Sequence, residues 1–560
     1  MNTPIKWLNE NSRKFLTKGY LAEGQTAEDR IHFIADKAEG ILKIKGFAEK
    51  FYGYMSEGYY SLSTPIWANF GLRKGLPISC FGSYIDDNMG QILYTQAEVG
   101  MMSKFGGGTA GYFGALRPRG AAITDNGVSS GSVHFMRLFE SMVNVVSQGS
   151  TRRGHFAPYL PMEHPDIEEF LDIGTEGNPI QELTHAVTVT DEWMKQMIEG
   201  DANKRTLWAK VLERRSQMGY PYIFFTDTVN KNTVDVYKDK QLKIYGSNLC
   251  SEILLPSSQE WSIVCDLSSM NLLHYDVWKD TDAVETLVYF LDAVMTDFIQ
   301  KLEHLRDTNE KESNTAFLFM ERAYNFAVAN RALGVGVLGW HSLLQNKMLA
   351  FESMEAAKLN VIIFKTIKER AYTASKQLSE LFGEPSLLKG YGRRNTTLCA
   401  IAPTTSSAFI LGQVSQSIEP IWSNCYVKDI DKMKVTIKNP FLEKLLEKKA
   451  KNDKDTWHSI RDNDGSVQHL AFLIQEEKDI FKTFAEIDQY SIIEQAAVRQ
   501  LYIDQWQSLN LMINPKTPVK DVNALYIEAW KQGVKTLYYQ HSMNAAQTLN
   551  RKKLCTSCEA

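Results

Sequence analysis

Residues 247–253 read SNLCSEI, and this short stretch decides how the rest of the chain is interpreted. Cys250 lies two residues from the amide of Asn248 and two residues from the carboxylate of Glu252. Alternate residues of an extended segment or a narrow loop point the same way. The stretch therefore predicts a sulfur, a base and an orienting amide around one small pocket. The alternative is an inert, buried cysteine with polar neighbours in loops.

The composition is typical of a globular protein. The chain has 560 residues, of which 44% are hydrophobic and 23% charged, with a net charge of -4. This length predicts two or three domains, or one large barrel with additions. The small net charge gives no sign of a nucleic-acid or membrane partner, and no apolar run could span a bilayer. Without a secretory h-region at the N-terminus, we expect a cytoplasmic protein.

The cysteines are few and scattered, which argues against a disulfide framework. A Cys-x-x-Cys pair near the C-terminus favours a redox dithiol, because a structural zinc site needs four ligands and no second close Cys/His pair occurs. We therefore predict no metal site. The cysteines are Cys80, Cys250, Cys265, Cys399, Cys425, Cys555 and Cys558.

Periodicity and turn signals predict α/β architecture after an N-terminal helical region. Thr26 with the acids at 28 and 29 is typical of a helix N-cap, and Pro65 interrupts the helical pattern. Residues 78–84 and 261–265 are typical of strands. The glycines at 106–108 predict close backbone approach on a tight strand, because the context of a dinucleotide fingerprint is absent.

The second half of the chain is predicted from the same patterns. Residues 287–305 and 354–382 show long helical periodicity. We predict a strand within residues 395–411, a solvated helix and surface loop at 442–454, and a final strand at 535–540. The polar residues after 543 are expected to form a mobile terminus.

Four motifs occur in order: Ser79-Cys80, NLCSE at 248–252, PTTSS at 403–407 and TLYYQ at 536–540. In these motifs the chain resembles the large, catalytic subunit of class I ribonucleotide reductases, from about residue 12 to the C-terminus. The resemblance implies a ten-stranded α/β barrel over residues 61–543, with the central cysteine on a finger loop. Residues 1–60 would be an N-terminal helical region without an ATP-cone, and residues 544–560 a redox tail.

The resemblance implies radical reduction of ribonucleoside diphosphates to deoxyribonucleotides. Cys250 would be the thiyl, Glu252 would take the 3′-hydroxyl proton, and Asn248 would hold that hydroxyl. Cys80 and Cys265 would reduce the substrate and form a disulfide, so the fold must bring them onto adjacent strands. Without this context, each would be an inert core cysteine.

The resemblance also implies two routes for electrons. Tyr538 and Tyr539 would relay an oxidising equivalent from a metal-containing small subunit, so that no cofactor binds in this chain itself. Cys555 and Cys558 would re-reduce the disulfide and become oxidised themselves. Thioredoxin or glutaredoxin would then reduce this pair by thiol–disulfide exchange. A pair of adjacent tyrosines in a strand is otherwise one buried and one exposed residue.

Nucleotide sites follow from the same resemblance. Asp87 and Arg119 match an effector site for deoxynucleoside triphosphates or ATP at a homodimer interface, and residues 148–154 match the loop that joins it to the substrate. An Arg-rich surface loop is the alternative for the latter. Phosphate donors would come from a Ser/Thr turn and its neighbours, with an ordinary turn as the alternative. They are Thr64, Ser79, Pro403, Thr404, Thr405, Ser406 and Ser407.

Two other functions stay open at this point. A cobalamin-dependent reductase would make its radical in the same pocket and would not need Tyr538 and Tyr539. A nucleotide-binding regulatory subunit would bind effectors without turnover, and the presence of Glu252 and the reactive cysteines argues against it. Assay with a small subunit separates these functions.

Overall fold

A mixed sheet of nine strands carries the cysteines Cys80 and Cys265. The computed structural model describes residues 5–146, 154–412, 414–430 and 433–542. In chain order its strands are β1 (Tyr60–Leu62), β2 (Cys80–Tyr84), β3 (Gly108–Tyr112), β4 (Phe156–Pro161), β5 (Ala186–Val189), β6 (Tyr222–Phe225), β7 (Ile263–Asn271), β8 (Leu333–Leu338), β9 (Cys425–Ile430), β10 (Met433–Lys438), β11 (Leu511–Met512), β12 (Thr536–Leu537) and β13 (Gln540–His541).

Parallel strands form the first half of the sheet. β2, β3, β4, β5 and β6 lie side by side in chain order, each parallel to the next. Most of their residues are buried, as expected for strands covered on both faces. Before β3, a Cβ at Gly107 would lie 2.5 Å from the Phe81 ring, so glycine is needed for this close approach.

The second half of the sheet runs antiparallel to the first. β7 and β8 are parallel, and parallel bridges join Val335 to Cys399 and Ile401 to Gln507. The segment after residue 507 lies beside β12, because the backbone N–H of residue 538 donates to the carbonyl of 509. β7 pairs antiparallel with β2, and β12 pairs antiparallel with β6. The two halves therefore close at both edges, and the predicted ten-stranded α/β barrel is confirmed.

Helices cover the barrel and build the N-terminal region. No helix in the described part of the chain is long and apolar enough to cross a membrane. The helices are α1 (Glu10–Leu16), α2 (Ala27–Leu42), α3 (Phe47–Ser56), α4 (Thr64–Asn69), α5 (Met89–Lys104), α6 (Ser132–Val145), α7 (Ile167–Leu171), α8 (Asp191–Glu199), α9 (Ala202–Met218), α10 (Thr226–Lys231), α11 (Asp235–Asp239), α12 (Tyr275–Trp278), α13 (Ala283–Asp307), α14 (Lys311–Leu318), α15 (Glu321–Asn330), α16 (Trp340–Asn346), α17 (Met354–Phe382), α18 (Thr405–Ile410), α19 (Pro440–Lys448), α20 (Lys454–Asp462), α21 (Gln475–Ile480), α22 (Gln489–Arg499) and α23 (Val519–Lys531), with 3-10 turns at Leu272–His274, Ser386–Leu388 and Gln500–Tyr502.

Local signals place several helix boundaries. Thr26 caps α2 through a reciprocal capping box with Asp29, as its sequence predicts. Pro65, which was expected to interrupt the helical pattern, begins a helix instead. It lies in the first turn of α4, where its missing N–H costs no hydrogen bond. The long helices α13 and α17 contain the two stretches with predicted helical periodicity.

Three sequence expectations differ from the structure. Residues 395–411 form no regular strand; after two isolated bridges they enter α18. The backbone N–H groups of Leu398 and Cys399 donate to the Asp504 carboxylate at 2.7 and 3.3 Å instead of to a ladder. The expected strand at 535–540 is split into β12 and β13. The helix α19 is not fully solvated, because its leucines enter a second small core.

His185 couples the stability of the fold to pH. Its ring is buried between Phe170 (4.9 Å) and Tyr220 (5.3 Å), and neither ring nitrogen has a hydrogen-bond partner within the described residues. Burial lowers the pKa of His185 to about 3. Below about pH 6.5, His185 therefore binds a proton in the unfolded chain but stays neutral in the folded chain. As the pH falls further, the free energy of unfolding decreases until the pH reaches the pKa of the folded state.

The His185→Phe variant should lose this acid sensitivity while keeping the ring packing. At about pH 5 the expected gain over the parent chain is about 2 kcal/mol, and near pH 7.5 this protonation contribution vanishes. Thermal unfolding at the two pH values measures the difference. Exposed His134, changed to glutamine, is the control. Equal acid-induced losses in the parent and the His185→Phe variant would contradict this role.

Candidate active site

Residues 247–253 form a narrow loop, one of the two geometries that the sequence allowed. The side-chain oxygen of Asn248 accepts hydrogen bonds from the backbone N–H groups of Glu252 (3.1 Å) and Ile253 (3.2 Å). Ser251 has a φ of 66°, in the left-handed region that residues other than glycine seldom adopt. With its oxygen closing the loop, Asn248 points its NH2 group away from the turn.

Both halves of the barrel hold this loop in place. Partners from β4, from the segment near residue 507 and from β12 bind four of the five backbone carbonyls of residues 248–252. Each partner is buried, so its hydrogen bond is retained away from competing water. The bonds are Tyr159 Oη to Asn248 O (2.8 Å), Ser508 Oγ to Cys250 O (2.6 Å), Thr536 Oγ1 to Ser251 O (2.9 Å) and Trp506 N to Glu252 O (3.1 Å).

Cys80 and Cys265 face each other across the antiparallel seam of the barrel. They are direct register partners of β2 and β7, and their side chains are thiols, not a disulfide, in this structure. Directly opposed residues of an antiparallel pair have Cα atoms about 4.5–5.5 Å apart, which falls within the range that a disulfide spans. The pair can therefore be oxidised without moving the strands.

The loop meets this cysteine pair and a serine. The Asn248 NH2 group lies 3.7 Å from the Cys80 sulfur, within the range of an N–H···S contact. Ser508 Oγ, besides donating to Cys250 O, lies 3.2 Å from a carboxylate oxygen of Glu252. Glu252 is 1% exposed, which keeps water away from the carboxylate. A buried carboxyl and an amide donor on the loop of Cys250 thus lie beside an oxidisable pair of thiols.

An aromatic cluster lies where β6 meets β12. The Tyr538 and Tyr539 ring centroids are 4.4 Å apart, and Tyr222 on β6 lies 4.7 Å from the first and 5.1 Å from the second. Tyr539 also stacks on His541 at 5.7 Å. Arg215 donates to the Tyr538 carbonyl at 2.9 Å and fixes the backbone there. Closely packed tyrosines of this kind can exchange an electron and a proton.

The Ser/Thr turn forms the start of a short helix. Thr404 is the N-cap residue of α18, and its hydroxyl accepts the N–H of Ser417 at 2.7 Å. Ser406 is buried, and its hydroxyl has no hydrogen-bond partner among the described residues. Thr64 is at the start of α4, where its hydroxyl donates to Tyr20 at 3.1 Å. Backbone N–H groups and an unsatisfied hydroxyl suit an anionic group such as phosphate.

Of the remaining predicted phosphate residues, Ser79, Pro403 and Ser407 are buried and Thr405 is partly buried. Ser79 immediately precedes β2, and its carbonyl accepts the N–H of Gly108 at 2.7 Å, so its backbone belongs to the sheet. Pro403 precedes the α18 N-cap, and Ser407 lies in the first turn of that helix. Thr405 donates to Gln416 at 3.1 Å. The structure therefore groups residues 403–407 at one helix start.

Comparison with known proteins agrees with this geometry. The profile "Ribonucleotide reductase, barrel domain" matches residues 78–204, 198–387 and 385–540, and "Ribonucleotide reductase, all-alpha domain" matches residues 6–75. The chain belongs to the ribonucleotide reductase large-subunit family. Its fold matches the solved Actinobacillus ureae class Id ribonucleotide reductase alpha subunit with a TM-score of 0.90 at 54% identity, over 98% of this chain and 99% of that chain.

Curated relatives give the same family. The ribonucleoside-diphosphate reductase large subunit of Invertebrate iridescent virus 3 is 31% identical, over 94% of this chain and 92% of its own length. The large subunit of that name from Danio rerio is 28% identical, over 97% of this chain and 77% of its own length. These likenesses extend over the barrel and the N-terminal helices alike.

In this ribonucleotide reductase large subunit, the predicted effector residues lie in separate ion pairs. Arg117 donates a hydrogen bond to the Asp87 carboxylate at 2.7 Å. Arg119 donates two hydrogen bonds to the Glu169 carboxylate, at 2.7 and 3.0 Å. Both pairs are partly exposed. Residues 147–153, which contain most of the predicted connecting loop, lie outside the described residues, as do Cys555 and Cys558. Among the side chains that are described, no His, Cys, Asp and Glu cluster could hold a metal.

Several residues that build this reductase site were missed by sequence reasoning. Ser508 and Gln505 lie beside the catalytic loop, and Tyr222 and Arg215 lie beside the tyrosine pair. Ser508 lies in a segment to which the sequence alone assigned no role. Tyr222 gave no signal, because an aromatic residue in a strand is ordinary core.

Proposed function

We propose that this chain is the catalytic subunit of a ribonucleoside-diphosphate reductase that makes 2′-deoxyribonucleoside diphosphates. The observation that carries the proposal is that the loop of Cys250 meets the cross-strand pair Cys80 and Cys265 in one buried site. The overall reaction balances there: one ribonucleotide and two thiols give one deoxyribonucleotide, one water and one disulfide. The relatives named above as ribonucleoside-diphosphate reductases support the diphosphate substrate.

In the proposed mechanism, the Cys250 thiyl removes the hydrogen from carbon 3′ of the ribose. Glu252 takes the 3′-hydroxyl proton while the Asn248 NH2 group positions that hydroxyl. Ser508 supports the exchange, because its single proton is donated to Cys250 O and its oxygen can accept a hydrogen bond from the carboxylic acid form of Glu252. Loss of water from carbon 2′ then becomes feasible beside the new radical.

The cysteine pair completes the reduction. Cys80 and Cys265 supply the proton for the departing 2′-hydroxyl and two electrons, and they end as a disulfide. Hydrogen then returns from Cys250 to carbon 3′, which regenerates the thiyl. The buried position of Cys265 raises the pKa of its thiol well above the usual value, so the sulfur keeps its proton until it is needed.

The proposal includes partners that supply the radical and the electrons. Tyr538 and Tyr539 carry the oxidising equivalent from a metal-containing small subunit, and their 4.4 Å ring separation supports that role. Cys555 and Cys558, in a tail at 544–560, reduce the disulfide of Cys80 and Cys265 by exchange. Thioredoxin or glutaredoxin then reduces the oxidised tail pair. Residues 1–60 form the helical region, and 61–543 the catalytic barrel. The active form is a homodimer.

We further propose that the phosphates bind residues 403–407 with Thr64 and Ser79, and that deoxynucleoside triphosphates or ATP bind near Asp87 and Arg119. Both ion pairs at the latter site are partly exposed and can open for an anionic ligand. Effector binding there would set substrate choice.

The test is a turnover assay with a purified small subunit. We expect deoxyribonucleotide formation from ribonucleoside diphosphates that requires both subunits and a dithiol reductant, without added cobalamin. Nucleotide binding with no product would support a regulatory subunit instead. A requirement for cobalamin with no small subunit would support the other class of reductase.

A further inference from the structure

Gln505 is a buried residue whose side chain joins the catalytic loop to Cys265. Its side-chain oxygen accepts the N–H of Leu254 at 3.0 Å, just beyond the loop. Its NH2 group faces the Cys265 sulfur at 3.3 Å, the Leu333 carbonyl at 3.1 Å and the Thr397 hydroxyl at 3.0 Å. A backbone donor on one side and a backbone acceptor on the other fix the amide orientation. One N–H group binds the Leu333 carbonyl, and the second faces both the Cys265 sulfur and the Thr397 hydroxyl.

The two reducing cysteines have unequal surroundings. Cys265 is 1% exposed, whereas Cys80 is 8% exposed and lies nearer the loop. The Asn248 NH2 group is 3.7 Å from the Cys80 sulfur, a longer contact than the 3.3 Å contact at Cys265, and substrate competes for it. Burial is the main influence on the Cys265 thiol and raises its pKa, while the Gln505 hydrogen bond opposes that effect.

We propose that Gln505 sets the direction of the exchange that re-reduces the Cys80–Cys265 disulfide. An incoming thiolate attacks the sulfur of Cys80, and Cys265 leaves as a thiolate that accepts a hydrogen bond from Gln505. This inference rests on the proposed function, and it assigns to Gln505 the positioning of the Cys265 sulfur as that sulfur leaves. Gln505 is thus a positioning residue for the recovery step, and Glu252 and Cys250 take no part in it.

Each exchange step conserves atoms and electrons. The attacking thiolate forms a new S–S bond to Cys80 as the bond from Cys80 to Cys265 breaks, and the electron pair stays on Cys265. The Cys265 thiolate then takes a proton. A second thiol of the same dithiol, as a thiolate, attacks the mixed disulfide and releases Cys80. The incoming thiolate attacks Cys80 because this is the more exposed of the two sulfurs, and the Gln505 donor stabilises the thiolate that leaves Cys265, which offsets part of the opposing effect of burial.

The direction can be observed by trapping. The full-length chain is oxidised with diamide, and formation of the Cys80–Cys265 bond is verified by mass spectrometry. It is then treated briefly with limiting glutathione, quenched in acid, alkylated and digested. We expect glutathione on Cys80 and an alkylated, formerly free thiol on Cys265. Glutathione found mainly on Cys265 would overturn the inference.

The role of the amide is tested by Gln505→Glu, which keeps an acceptor for the Leu254 N–H but removes the fixed donor to sulfur. Loss of a hydrogen bond to a charged group should slow capture by about ten- to a hundredfold and raise the share of adduct on Cys265. The matched control is Gln507→Glu. Gln507 is equally buried, lies two residues away, and binds Arg499 and Ala496 rather than a cysteine.

A structural defect alone would not move the adduct from one cysteine to the other. If Gln505→Glu does not fold, Gln505→Met, which has a similar length and no donor, replaces it with the same expectation. Equal rates and equal adduct distributions in the position-505 variant and Gln507→Glu would overturn the inference. Chemical oxidation keeps this test separate from turnover: failure of the proposed function would show instead as no disulfide formed with substrate and small subunit.

Discussion

Replacing Cys250 by alanine should abolish deoxyribonucleotide formation, by at least about a thousandfold, while nucleotide binding persists. Alanine has no S–H bond, so the first hydrogen abstraction has no agent, and every tenfold loss corresponds to about 1.4 kcal/mol of barrier. The loop itself should survive, because the 250 carbonyl keeps its bond from Ser508 and the turn is closed by Asn248. Product formation and equilibrium nucleotide binding measure the two halves of this expectation.

Cys425→Ala provides the matched control for the Cys250 variant. Cys425 is also a buried cysteine, but it packs in the second core with Leu442 and Trp457, away from the barrel. Removing its sulfur should cost some stability, in the range of small core truncations, and leave turnover unchanged. Substantial turnover by the Cys250→Ala variant would remove the thiyl from the mechanism, whatever the control shows.

The parts of the site that the sequence predicted are those with local or paired signals. SNLCSEI places three reactive groups within five residues, and only their loop conformation was left open. Cys80 and Cys265 were expected on adjacent strands because the chemistry requires their contact, and the register pairs them directly. The N-terminal helix α2 was predictable because its cap and apolar period occupy neighbouring positions.

The parts that sequence reasoning missed depend on contacts between distant residues. Ser508 lies 258 residues from the carbonyl that it binds, and Gln505 lies 240 residues from the sulfur that it faces. Nothing in the local pattern distinguishes them from polar strand residues. The expected strand at 395–411 is reduced to bridges at Cys399 and Ile401, because the Asp504 carboxylate takes two of the N–H groups in this segment. Tertiary partners, not propensity, decided the backbone there.

Replacing Tyr538 by phenylalanine should also abolish turnover, again by at least about a thousandfold, with little change in the fold. Phenylalanine keeps the ring that packs 4.4 Å from Tyr539 and 4.7 Å from Tyr222, but it has no O–H to lose and is too hard to oxidise. The backbone at 538 keeps its bond from Arg215. Turnover with the small subunit, together with nucleotide binding and thermal unfolding, measures the effect.

Tyr60→Phe separates radical transfer from packing. Tyr60 is as buried as Tyr538, lies on β1, and donates its hydroxyl to the Ala283 carbonyl, so the same substitution there removes a buried hydrogen bond but no relay position. We expect a modest loss of stability and normal turnover, because one neutral hydrogen bond contributes about 1 kcal/mol. If Tyr538→Phe turned over as fast as Tyr60→Phe, the oxidising equivalent would have to reach Cys250 by another route, and the adjacent tyrosines would be only core.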